Sequence, residues 1–260
     1  MYEGEFIHTQ QNLDDRNSWL TVNAAEVEPF LTAPRDCTIF TYSRSEPSDR
    51  ATTRYGGLPY WPKNRPWPIC SGHGQHQAMS MPYVGQIDFR HTPEHDAIPG
   101  DVLVLHYCFK CSTWNSHERH TDPTCVLTWL SNIPDEDIIQ ADDLPAFSSS
   151  DVIGPFYGAP CITEDYEAPS ESYGGNIAGE SYTFLQFTLQ GTKIGGYPPR
   201  IQDDSVAPAQ KFLCAFGSIQ PAGLGETGYH GDVCWGDMGS LIVYVSNNHP
   251  GVLSWSIQSY

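Results

Sequence analysis

The stretch IPGDVLVLHYCFKC, Ile98 to Cys111, carries the two readings on which the rest of this chain depends. Its middle, Val102 to Tyr107, is a β-branched and aliphatic run that ends in an aromatic and follows the turn residues Pro99 and Gly100, so it reads as a strand. Its end places Cys108 and Cys111 two residues apart at the point where that strand stops. Similar runs occur at Cys37 to Tyr42, Val84 to Phe89, Cys125 to Leu130, Thr183 to Leu189, Phe212 to Phe216, Leu241 to Val245 and Val252 to Ile257. Glycine (23) and proline (21) are spread throughout, and long stretches of helical apolar period are scarce. One short helix is predicted at Asn23 to Leu31, with Asn23 as its cap and Pro29 at its end. The fold class is therefore α+β and β-rich, with few short helices.

The chain also echoes itself. Pro99-Gly-Asp-Val-Leu-Val104 matches Met238-Gly-Ser-Leu-Ile-Val243, and Gly56-Gly-Leu-Pro59 matches Gly195-Gly-Tyr-Pro198, both 139 residues later. Val84-Gly-Gln-Ile87 has an echo in Phe216-Gly-Ser-Ile219 at 132. Matches in one order at a nearly constant offset predict an internal duplication. Two similar β-rich halves are expected: residues 1–133 with an N-terminal extension and the cysteine knuckles, and residues 181–260. Between them, residues 134–180 are acidic and rich in Ser and Pro, and read as a connector. The halves are expected to pack as one domain.

The 260 residues suffice for a sizeable core, and 39% apolar with 12% aromatic content excludes wholesale disorder. No apolar run reaches the roughly 18 to 20 residues that span a bilayer, and MYEGEFIHTQ lacks the features of a signal peptide, so a cytoplasmic address is expected. Against 31 Asp and Glu stand 13 Lys and Arg, a formal net charge of -18. Such a surface repels nucleic acid and anionic lipid and speeds encounter with a basic partner. In a reducing compartment the eight cysteines read as free thiols, and a close pair points to metal before disulfide.

Cys108-x-x-Cys111 after a strand is half a zinc knuckle, because the turn lets two thiolates converge on one ion. The second half is offered by Cys70-x-x-His73 in WPICSGHGQHQ, completing a Cys3His set of Cys70, His73, Cys108 and Cys111. Competing donors remain open: His76 could replace His73, and Cys125 with His117 or His120 could complete a compact site. His106 shares the strand face of Cys108. Four protein donors leave no position for water, so the zinc is expected to be structural. A catalytic site would need an open position and a base, for which Glu118 is the nearby carboxylate. Asp88 and Asp237, in IDF and WGD, are read as turn-forming residues. Tyr55 to Pro68, YGGLPYWPKNRPWP, is an aromatic loop that either anchors a partner or closes the core. Nucleophile elbows, Walker loops, Rossmann fingerprints and HExxH are all missing from the sequence.

RYGGLPYWP (Arg54 to Pro62), WPIC (Trp67 to Cys70), MPYVGQIDF (Met81 to Phe89), IPGDVLVLHY (Ile98 to Tyr107), KIGGYP (Lys193 to Pro198) and WGDMGSLIVYV (Trp235 to Val245) together resemble the YwqG-like proteins, a domain family without assigned function. The resemblance runs over roughly residues 35 to 260. It implies an α+β fold of two similar β-rich halves, cysteines in both knuckle pairs of some relatives, and a kinship with neighbours of bacterial toxin systems. The expected function is thus a zinc-stabilised protein-binding module, of an immunity or antitoxin type, that neutralises a basic toxin. A metal-dependent hydrolase using the Cys/His cluster is the alternative from a different class.

Overall fold

A computed structural model describes residues 7–28, 34–72, 75–111, 124–147, 152–167, 188–199, 210–220, 232–235 and 239–258. Among the described residues, ten strands form one antiparallel sheet: β1 (Arg35–Ser43), β2 (Arg54–Tyr55), β5 (Tyr83–Asp88), β6 (Val102–Tyr107), β7 (Cys125–Leu130), β8 (Phe156–Asp165), β9 (Lys193–Gly195), β10 (Gln210–Gly217), β11 (Ser240–Ser246) and β12 (Leu253–Gln258). A separate two-stranded hairpin pairs β3 (Ile69–Cys70) with β4 (Met79–Ser80). Across the large sheet the order is β7-β6-β5-β2-β8-β1-β9-β10-β11-β12.

Side-chain alternation explains why this sheet curls. Along β6, Leu103, Leu105 and Tyr107 point into a central core to which all ten strands contribute, from Phe40 and Tyr55 through Phe156 and Ile194 to Leu241 and Trp255. Every residue of β6 is buried, because Val102 and Val104 on the opposite face sit under Tyr60, Trp61, Leu130 and Ile138. The inward Tyr107 ring lies 6.1 Å from that of Trp255 on β12, so the two ends of the sheet approach one another and the sheet is nearly closed. On the outer face of β1, Cys37 and Ile39 pack against Ile7 and Leu13.

Leu13 belongs to α1 (Gln10–Val22), a helix that the apolar pattern does not announce. Only Leu13 and Arg16 of it are buried, so there is almost no apolar stripe to read. Its start is set instead by a reciprocal cap, in which Thr9 Oγ1 accepts from the Asn12 amide at 3.2 Å and Asn12 Oδ1 accepts from the Thr9 amide at 3.0 Å. Of the helix expected at Asn23 to Leu31, the described residues form a single turn, α2 (Ala24–Val27), and 29–31 lie outside them. Asn23 does not cap it with its side chain; the side-chain Nδ2 of Asn23 donates instead to Trp19 O at 2.8 Å and closes α1.

The connector reading of residues 134–180 needs correction, because β8 lies within that range and occupies the middle of the sheet. Composition hides it. Phe156 and Tyr157 are buried, yet Ala159, Pro160, Ile162 and Glu164 are exposed. Pro160 is tolerated there because β2 pairs only with Phe156 and Tyr157, leaving the next residues of that edge outside a ladder. The predicted strand at Thr183 to Leu189 falls at 183–187 outside the described residues; Thr188 and Leu189 are buried but not in a strand. The other predicted strands appear with bounds shifted by two residues or fewer.

Candidate metal site

Two hairpins bring the donors together. Cys70 ends β3, His76 stands in the loop before β4, and Cys108 and Cys111 follow β6. The Nε2 atom of His76 lies 3.0 Å from Cys111 Sγ, 3.2 Å from Cys108 Sγ and 3.8 Å from Cys70 Sγ, and Cys70 Sγ lies 3.5 Å from Cys111 Sγ. All four donor atoms fall within 4.8 Å of one another. A tetrahedral zinc shell with bonds of about 2.3 Å to sulfur and about 2.05 Å to nitrogen has edges of about 3.8 Å (S to S) and about 3.6 Å (N to S). The cluster is close to that shell, whereas its sulfurs stand too far apart for a disulfide bond of roughly 2.0 Å. This Cys3His group could hold a metal ion.

The surroundings orient each donor. Nδ1 of His76 lies 2.6 Å from the Gln77 carbonyl oxygen, an acceptor, so Nδ1 carries the proton and Nε2 presents its lone pair to the sulfurs. The Gly72 amide donates to Cys70 Sγ at 3.4 Å, and the amides of Lys110 and Cys111 lie against Cys108 Sγ. Such amide donors favour thiolate over thiol. Met81 and Val126 pack beside the three buried sulfurs. Burial pushes the Cys111 thiol up to about 12, with the neighbouring sulfurs of Cys70 and Cys108 adding to the rise, and burial likewise raises Cys108. Three sulfurs confined this way gain most from a cation placed among them.

Of the donors proposed from sequence, Cys70, Cys108 and Cys111 meet in this cluster, with His76 as the described histidine. His73 lies outside the described residues, as do His117, Glu118 and His120. Cys125 is buried in the central core, on the face that Tyr107 shares, away from the cluster. His106 turns to the outer face, where its ring meets Trp61 at 4.9 Å and Trp67 at 4.8 Å; burial lowers its pKa to about 3, keeping it neutral. Tyr60 and Trp61 of the aromatic loop are buried in the same outer cluster, so the loop closes core. Asp88 Oδ1 accepts from the Arg90 amide at 3.0 Å, a turn contact, and its carboxylate pairs with the Arg90 guanidinium. Asp237 lies outside the described residues.

No helix among the described residues is long and apolar enough to cross a membrane. Fold and site together define a β-rich domain with a Cys/His cluster able to hold a metal. Residues 53–249 match the family model "Domain of unknown function (DUF1963)", and the chain belongs to that family. This agrees with the resemblance to YwqG-like proteins, also a family without assigned function. No curated protein sequence matches the chain.

Proposed function

We propose that Cys70, His76, Cys108 and Cys111 hold one structural zinc ion, and that the module so stabilised acts by binding a basic protein partner. The observation that carries the metal reading is the His76 tautomer: a carbonyl takes its Nδ1 proton and leaves Nε2 aimed at three thiols. Three soft sulfur donors and one imidazole within tetrahedral reach of one another fit zinc. Four protein donors fill a tetrahedral shell, which favours a structural ion over the hydrolase alternative, since hydrolysis needs a position for water. The ion would staple the β3–β4 hairpin to the end of β6.

The partner reading rests on the net charge of -18. It favours a basic protein over nucleic acid, and an immunity or antitoxin role is the form of it that the family resemblance suggests. Its test is capture of a partner from the native host followed by association kinetics in rising salt. Association that slows steeply while dissociation barely changes supports electrostatic docking. Salt-insensitive association, or zinc-dependent hydrolysis of a small substrate, overturns it.

We also infer an internal duplication. The strand order is palindromic if β1 and β8 are taken as counterparts, each followed by a short strand, β2 or β9, that pairs with the counterpart of the other half. Gly56 and Gly57 (φ 60° and 67°) match Gly195 and Gly196 (φ 68° and 71°). The Phe40 amide donates to Thr192 O at 3.0 Å and the Gly158 amide to Thr53 O at 2.9 Å, acceptors 139 residues apart. The echo of Val84 in Phe216 does not fit this register. Phe216 lies opposite Leu241 as Ile87 lies opposite Leu103, all four facing the central core, so Phe216 corresponds to Ile87.

A further inference from the structure

Resting on the metal reading above, we propose that the same site is the latch of the curled sheet: an ion held by Cys108 and Cys111 seats Phe109 on Trp235 and so ties the β6 end of the molecule to its C-terminal strands. Phe109 stands between the two knuckle cysteines. Its ring stacks on Trp235, with centroids 5.8 Å apart and planes at 27°, and meets Tyr107 edge-on at 5.0 Å. Tyr107 in turn meets Trp235 at 5.1 Å and Trp255 at 6.1 Å. These four rings fill the seam where the two ends of the sheet approach. Phe109 is 39% exposed and Trp235 1%, so Phe109 is the outer ring that covers a buried one.

Trp235 is itself fixed to the far side. Its amide donates to Ser218 Oγ at 2.9 Å, its carbonyl accepts from the Gly239 amide at 2.6 Å, and the adjoining Val233 exchanges two backbone hydrogen bonds with Ile219 at 2.8 and 2.9 Å. On the near side, the backbone around Phe109 is held by the turn bond from the Cys111 amide to Cys108 O at 3.2 Å and by the sulfurs on either flank. Two ligand bonds flanking one aromatic residue restrict its backbone far more than a single turn bond does. Removing the ion frees the knuckle, and the stacking contact must then bear the ordering cost of Phe109 alone. The coupling path is contiguous: ion, Cys108 and Cys111, Phe109, Trp235, then Ser218 and Gly239.

The test is hydrogen exchange on the full chain, zinc-loaded and chelator-stripped, with Phe109→Ala and Phe109→Tyr compared in the zinc-loaded form. Stripping is expected to lower protection of the Ile219, Val233, Trp235 and Trp255 amides at least tenfold. Zinc-loaded Phe109→Ala should show the same loss while still carrying one zinc per chain, and Phe109→Tyr, which can still stack, should not. If stripping alters only the amides of 69–80 and 106–126, or if zinc-loaded Phe109→Ala protects the far side as well as the parent does, the latch is overturned although zinc is bound. A parent chain that binds no zinc removes the metal reading itself, and the latch with it. Should the stripped chain unfold throughout, the zinc-loaded Phe109→Ala comparison decides.

Discussion

His76 Nδ1 and the carbonyl oxygen of Gln77 lie 2.6 Å apart, and this contact sets which nitrogen of the ring faces the sulfur cluster. A histidine oriented by a backbone acceptor is the pattern of a metal ligand with its outer partner in place. His76→Ala deletes a ligand and should lower zinc affinity by more than the roughly 10- to 100-fold that disturbing a ligand's outer partner costs, whereas His73→Ala should leave zinc content unchanged. Chelator competition on both variants measures this; equal loss in the two, or loss only in His73→Ala, contradicts the assignment.

Lys193 and Asp165 form a fully buried pair at 2.7 Å, and the same carboxylate accepts from the amides of Leu189, Tyr166 and Tyr197. Removing the cation strands a carboxylate in the core. Lys193→Met should cost about 3 to 5 kcal/mol, in the range for breaking a buried ion pair, as read by denaturant unfolding. A loss under about 1 kcal/mol would mean that the three amides alone sustain the charge.

Gly56 sits at φ 60°, and a Cβ there would collide with the carbonyl oxygen of Ile153. Backbone conformation and space both forbid a side chain. Gly56→Ala should destabilise by more than about 3 kcal/mol, while Gly251→Ala, where a Cβ meets nothing within 4 Å, should change stability by no more than about 0.5 kcal/mol. Thermal melts of the two variants check the contrast.

Burial lowers the pKa of His8 from 6.5 to about 4. The unfolded chain then binds a proton at a pH where the folded chain does not, so His8 favours the folded state above pH 6.5 and stability falls as pH drops from 6.5 towards 4. The slope is up to about 1.4 kcal/mol per pH unit for one proton. His8→Leu should unfold with a pH dependence shallower by about one proton over that window. Parallel curves for parent and variant would show that His8 takes up its proton without unfolding.

Strands with unbroken β-branched or aliphatic runs were legible in the sequence: β6 and β7 fall on the predicted residues because nearly every side chain in them packs on one face or the other. What packs little apolar surface stayed hidden. α1 is held by Thr9 and Asn12 at its cap and by Arg16 Nη1 donating to Glu164 O, and β8 is central by pairing while much of it is exposed. The knuckle cysteines could be read from spacing after a strand. The place of His76 beside the sulfurs could not, since it depends on tertiary contacts and on a carbonyl contact local to Gln77; His73 lies outside the described residues.

The central claim is a single ion held by Cys70, His76, Cys108 and Cys111. Zinc-edge X-ray absorption on the purified full chain, combined with elemental analysis, tests it most directly. The expected result is one zinc per chain in a shell of three sulfurs at about 2.3 Å and one nitrogen at about 2.0 Å, with Cys108→Ser losing the metal and more than about 4 kcal/mol of stability. Substoichiometric metal in chelator-free protein, or a shell of oxygen and nitrogen without sulfur, would contradict the account.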